Sequence, residues 1–100
     1  YRELGAALYR GFTLSDVANQ LVSNALDPGK GRQLPLHFGS REKHFMYVKS
    51  TLGTQCPQAV GVAYASKLMG TKQVSLAYFG EGCASEGDIP SALNIAAVHG

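Results

Sequence analysis

Glu81 stands between Gly80 and Gly82 in the run Phe79-Gly80-Glu81-Gly82-Cys83-Ala84-Ser85-Glu86-Gly87-Asp88, a grouping that could hold a metal-bound diphosphate. Magnesium takes one or two carboxylates together with phosphate oxygens and water, so a single glutamate needs a phosphorylated ligand to complete the shell. The flanking glycines carry no side chain to block that ligand. The same residues would also make a plain turn with Glu81 and Glu86 in solvent.

The segments around this loop must place it. Residues 73–79, Gln-Val-Ser-Leu-Ala-Tyr-Phe, are short and almost wholly apolar, which predicts a strand covered on both faces. From Asp88 the chain reads as a helix: Asp88 can cap, Pro90 is tolerated in the first turn, and Leu93, Ala96 and Ala97 share one face. Strand, loop and helix follow in order, and in open parallel sheets ligands bind beyond the carboxyl ends of the strands.

Upstream, residues 1–9 suit an amphipathic helix with Leu4, Ala7 and Leu8 on one side and Gly11 at its end. A second helix follows, capped by Thr13 or Ser15, with Val17, Leu21 and Val22 at core spacing. Residues 27–40 contain Pro28, Gly29, Gly31, Pro35 and Gly39 and predict a long ordered loop. Residues 45–48 are a candidate strand. Residues 55–69 read as a helix with Thr54 as cap, small residues Ala59, Gly61, Ala63 and Ala65 for close packing, and Gly70 at its end.

Of the 100 residues, 45% are hydrophobic and 16% charged, with a formal net charge of +2, which describes a globular chain without a nucleic-acid surface. No apolar run approaches the roughly 20 residues that span a bilayer, and no signal-peptide pattern is present. Cys56 and Cys83 have neither metal-ligand spacing nor the numbers of a disulfide framework, which fits a reducing interior. The sequence starts without Met and stops one helix after its best strand, so it reads as a fragment truncated at both ends.

The run around Glu81 is similar to the first half of the thiamine diphosphate signature. Its glutamate form, followed by Ala84-Ser85-Glu86-Gly87-Asp88, resembles the alpha-subunit family of branched-chain 2-oxo acid dehydrogenases. Further matches in register are Tyr1-Arg2-Glu3, Gly29-Lys30-Gly31-Arg32-Gln33-Leu34-Pro35-Leu36-His37-Phe38-Gly39 and Thr54-Gln55-Cys56-Pro57-Gln58-Ala59-Val60-Gly61, so the resemblance covers essentially the whole chain. It implies an α/β fold, a fragment of the diphosphate side of a thiamine diphosphate-binding domain, with a parallel sheet flanked by helices.

By the same resemblance, Tyr1, Arg2, Ser50, Gly82 and Cys83 bind the cofactor diphosphate and Glu81 holds magnesium. An arginine suits that task because its planar fork gives two hydrogen bonds to phosphate oxygens. Lys49, Thr51, Thr54 and Gln55 form a potassium loop. Lys49 and Thr51 replace the family's Ser and Pro, and they serve if those ligands act through backbone carbonyls. Cys83 replaces an Ala and serves through its amide. Tyr1 and Leu52 are candidates for the apolar wall facing a branched substrate, a discrimination worth about 1–3 kcal/mol per methylene.

No catalytic residue is assigned to this segment. His37 reads as a loop-ordering residue, and His44 and His99 have no evident partner. The implied activity is oxidative decarboxylation of branched 2-oxo acids with acyl transfer to a lipoyl-bearing acyltransferase. The implied partner is a beta subunit in a heterotetramer, located in the mitochondrial matrix or, for a bacterial source, the cytoplasm. Pyruvate or acetoin dehydrogenase is the alternative within the class. A degenerate nucleotide-binding loop and a non-catalytic assembly module are the alternatives outside it.

Overall fold

The computed structural model describes residues 3–100, which divide into two compact units, one ending at Ser50 and the other starting at Thr51. In the first unit, α1 spans Leu4–Tyr9 and α2 spans Leu14–Leu21. Gly11, at φ +96°, turns the chain out of α1, and its amide bonds Leu8 O at 3.0 Å while Phe12 N bonds Ala7 O at 3.0 Å. That pair of bonds is the glycine-terminated helix end expected from sequence.

Thr13 begins α2 with a reciprocal cap: its Oγ1 accepts from Asp16 N at 3.0 Å, and Asp16 Oδ2 accepts from Thr13 N at 2.8 Å. Thr13, through the hydrogen bond from its backbone amide first and through its side chain second, holds the Asp16 carboxyl below its ordinary value of 3.8. Of the expected core face, Val17 packs inward. Leu21 and Val22 are 43% and 69% exposed, because Gln20 takes the inner position, buried at 4% exposure.

The buried Gln20 amide is engaged at both ends, donating to Leu34 O at 2.7 Å and accepting from Leu36 N at 2.8 Å. Asp27 works similarly from the loop side: its carboxylate oxygens accept from Gly29 N and Gly31 N, both at 2.9 Å. The long loop is ordered by these side chains in place of a ladder. Ala7, Phe12 and Phe38 form the unit's core, with Phe12 meeting Phe38 and Phe45 edge-on at 6.2 and 5.4 Å between ring centres. Gly39 lies flat against the Tyr47 ring, where any Cβ would collide.

The candidate strand at 45–48 is not formed. Ser40 and Phe45 pair as a single antiparallel bridge, followed by a bond from Val48 N to Phe38 O at 3.0 Å, which is too little for a ladder.

In the second unit, α3 spans Gln55–Leu68, a short 3-10 turn spans Gly82–Ser85 and α4 spans Asp88–His99. Gly70, at φ +68°, closes α3, with Gly70 N on Lys67 O and Thr71 N on Ser66 O. Helices α3 and α4 pack around a small core of Cys56, Cys83, Ile89 and Ala92, joined by Val60 and Ala77. The Lys67 ammonium caps the far end of α4 by donating to the His99 and Gly100 carbonyls.

Three expectations for this unit need correction. Asp88 is the first residue of α4 and makes no capping bond, the N-cap position being Gly87. The inward face of α4 is Ile89 and Ala92, while Leu93 is 66% exposed and Ala96 and Ala97 are exposed too. Residues 73–79 form no strand, and no sheet exists among the described residues. A strand needs a neighbour to take its backbone groups, and none flanks this segment here. Its side chains nevertheless alternate: Ser75 and Ala77 are half-buried, while Val74 and Leu76 are 91% and 73% exposed. No helix among the described residues is long and apolar enough to cross a membrane.

Candidate functional site

Glu81 immediately precedes the 3-10 turn, with φ −59° and ψ −45°, and its exposed carboxylate makes no capping bond. It therefore remains available to a ligand. A Cβ at Gly80 or Gly82 would meet no atom within 4 Å, so the backbone on both sides of Glu81 borders open space. Gly82 and Cys83 open the turn, and the first amides of such a turn have no acceptor inside it. The Cys83 side chain is buried at 5% exposure in the unit's core, so the backbone amide is what this residue offers outward.

Gly53 supports the loop from behind. At φ +82°, it faces Glu86 and Asp88 so closely that a Cβ there would stand 3.3 and 3.2 Å from theirs.

The cation loop is partly visible in the same unit. Thr54 occupies the N-cap position of α3 in a helical conformation, with ψ −33°, and makes no cap bond. This corrects the expected cap, since a capping hydroxyl needs an extended backbone to reach the following amides. Instead Thr54 Oγ1 donates to Thr51 O at 3.0 Å, which leaves the hydroxyl's lone pairs for another group.

Gln55 donates through Nε2 to Tyr78 O at 2.9 Å, and its Oε1 is buried with no hydrogen-bond partner among the described residues. An unmet buried acceptor costs about 1–3 kcal/mol, and a cation is one group that would meet it. Thr51 and Leu52 are exposed, Leu52 at 55%.

In the first unit, Ser50 is exposed and its Oγ lies 2.6 Å from His37 Nε2, while Lys49 is half-buried. Tyr1 and Arg2 lie outside the described residues. The remaining assigned residues are divided, with Lys49 and Ser50 in the first unit and Thr51 to Gln55, Glu81, Gly82 and Cys83 in the second.

Among the described residues no three of His, Cys, Asp and Glu gather as a metal site, so Glu81 stands without a protein-built cluster. His44 is an exposed residue at φ +50°, and His99 packs its ring on Tyr64 at 5.0 Å. Sequence reasoning missed Gln20, Asp27 and the His37–Ser50 bond. Asp27 had a local signal in the glycines that follow it; Gln20 had none.

The whole chain, residues 1–100, matches the family model described as the dehydrogenase E1 component. It is 55% identical over 97% of its length to "2-oxoisovalerate dehydrogenase subunit alpha, mitochondrial" of Dictyostelium discoideum. It is 50% identical over 97% to the mouse protein of that name, and 51% over 98% to "2-oxoisovalerate dehydrogenase subunit alpha 2, mitochondrial" of Arabidopsis thaliana. The chain spans 22%, 22% and 21% of the lengths of these relatives.

Proposed function

The chain belongs to the dehydrogenase E1 component family, and from that premise we propose that it forms part of the decarboxylating component of a branched-chain 2-oxo acid dehydrogenase, in its alpha subunit. The observation that carries this reading is 55% identity across 97% of the chain to a relative named for 2-oxoisovalerate. The working protein would be a heterotetramer with beta subunits in the mitochondrial matrix, passing its acyl group to a lipoyl-bearing acyltransferase. Residues 73–79 would enter a parallel sheet completed by the remainder of the protein. Their alternating burial supports this placement.

Thiamine diphosphate, when bound, supplies the electron sink for loss of carbon dioxide from a 2-oxo acid. The segment's own task would be to hold the diphosphate. Glu81 would bind the magnesium that neutralises it, consistent with an exposed carboxylate spent on no cap. The Gly82 and Cys83 amides would donate to phosphate oxygens across the space the glycines leave open. Ser50, Tyr1 and Arg2 would complete the donors. Gln55 Oε1, unpartnered among the described residues, and the lone pairs of Thr54 suit potassium, and carbonyls of Lys49 and Thr51 would be further ligands. Leu52 and Tyr1 would line the side-chain pocket.

The deciding experiment is calorimetric titration of thiamine diphosphate into the assembled alpha and beta subunits, with and without magnesium. Wild type should bind only with the metal, and Glu81→Ala should lose that binding. Equal binding by both proteins would remove Glu81 from the site.

A further inference from the structure

A hydroxyl has one hydrogen to donate, and the hydrogen of Ser50 already has a claimant. His37 is buried at 8% exposure, with Nδ1 2.8 Å from the Pro35 carbonyl oxygen and Nε2 2.6 Å from Ser50 Oγ. The carbonyl can only accept, so Nδ1 carries a proton. A neutral ring protonated at Nδ1 has a bare lone pair at Nε2. The short contact is then Ser50 Oγ–H donating to His37. In that state Ser50 turns its lone pairs outward, the wrong polarity for a phosphate oxygen.

The carbonyl that fixes this tautomer is itself held in place. Gln20 grips the residues on either side of Pro35, donating to Leu34 O at 2.7 Å and accepting from Leu36 N at 2.8 Å. His37 N closes the turn on Leu34 O at 3.1 Å, and Leu36 takes a left-handed φ of +67° to allow it. Such a conformation is unfavourable for a non-glycine residue, and the buried glutamine maintains it. The ring nitrogen facing Ser50 is therefore determined from the protein side.

For Ser50 to donate to a phosphate and also keep its bond to His37, a second proton is required. It must sit on Nε2, so that the imidazolium donates Nε2–H to Oγ and Oγ–H turns to the anion. We infer that His37 is a positioning residue that sets the direction of the Ser50 hydroxyl, and that binding of a diphosphate at Ser50 is coupled to uptake of one proton by His37. This rests on the diphosphate reading of Ser50 given above.

Among the described residues, the charged side chains lining the cavity beside His37 include Asp16, Asp27 and Lys43, and Lys49 adjoins Ser50 on its own segment. Asp16 is engaged by Thr13, and Asp27 by the Gly29 and Gly31 amides.

The test is calorimetric titration of thiamine diphosphate, with magnesium, into the assembled alpha and beta subunits at one pH above the ordinary histidine range. Two buffers of different ionisation enthalpy give the number of protons taken up. Wild type is compared with His37→Gln, whose amide can donate to Ser50 without a proton, and with Ser50→Ala, which keeps the histidine and removes its partner. Both variants should take up fewer protons than wild type, by up to about one. Should His37→Gln fail to assemble, Ser50→Ala alone gives the answer. Normal binding with the same proton uptake in wild type and variants would overturn the coupling and leave the diphosphate site standing. Absence of binding by wild type would overturn the site itself, and the coupling with it.

Discussion

Gln55 carries its contradiction within one side chain. Its amide nitrogen is satisfied by Tyr78 O at 2.9 Å, while the amide oxygen on the same group is buried with no partner among the described residues. A rotamer that satisfies one end at the expense of the other persists where something else meets the second end. Potassium is that group in the proposed site, and its binding should be visible as stability. Replacing sodium by potassium should raise the melting temperature of the assembled wild type. An ion present at 100 times its dissociation constant contributes about 2.7 kcal/mol. Gln55→Leu should remove that potassium-specific increment. An equal rise in the variant would exclude Gln55 as a ligand. Neither the Gln55–Tyr78 bond nor the His37–Ser50 bond could be read from residue order, because each depends on which group 23 or 13 positions away comes alongside. Glu81 with its glycines could be read, because loop chemistry there is contiguous.

At the scale of the elements, what the sequence disclosed correctly was local. Thr13, one of the two caps expected for α2, and Gly11 and Gly70 at the ends of α1 and α3, act through bonds spanning only a few residues. What failed depended on partners farther off: residues 73–79 lack a neighbouring strand, and α4 turns Ile89 and Ala92 inward because α3 approaches from that side. The cap of α2 makes a prediction of definite sign. The Thr13 hydrogen bonds lower the Asp16 pKa below 3.8 in the folded state. A carboxylate of depressed pKa adds stability that is complete above its unfolded value and disappears as pH falls through the folded one. Asp16→Asn should therefore melt lower than wild type near neutral pH, by the equivalent of about 0.3–1 kcal/mol, and the two curves should converge in acid below pH 3.8. A gap that persists unchanged into acid would mean that the charge on Asp16 contributes nothing to the cap.

On the scale of the whole molecule, the second unit keeps very little of its apolar surface for itself. Its buried hydrophobic residues are Cys56, Cys83, Ile89 and Ala92, while Leu68, Met69, Leu76, Leu93 and Val98 are each between 66% and 73% exposed. Isolated apolar side chains are common on protein surfaces, but this many large ones on one small unit mark faces meant to be covered. The chain spans 22% of its Dictyostelium relative's length, and in the proposed alpha subunit the remaining protein would cover them. The proposed site is likewise shared, since a heterotetramer would bring groups from the beta subunit to the cofactor. The isolated chain of residues 1–100 should therefore decarboxylate no branched 2-oxo acid, with or without thiamine diphosphate, magnesium and potassium. It should also bind a hydrophobic fluorescent dye that the assembled protein does not bind. Turnover by the purified chain would show that its residues alone complete an active centre, and would overturn the assignment of the remaining groups to a partner.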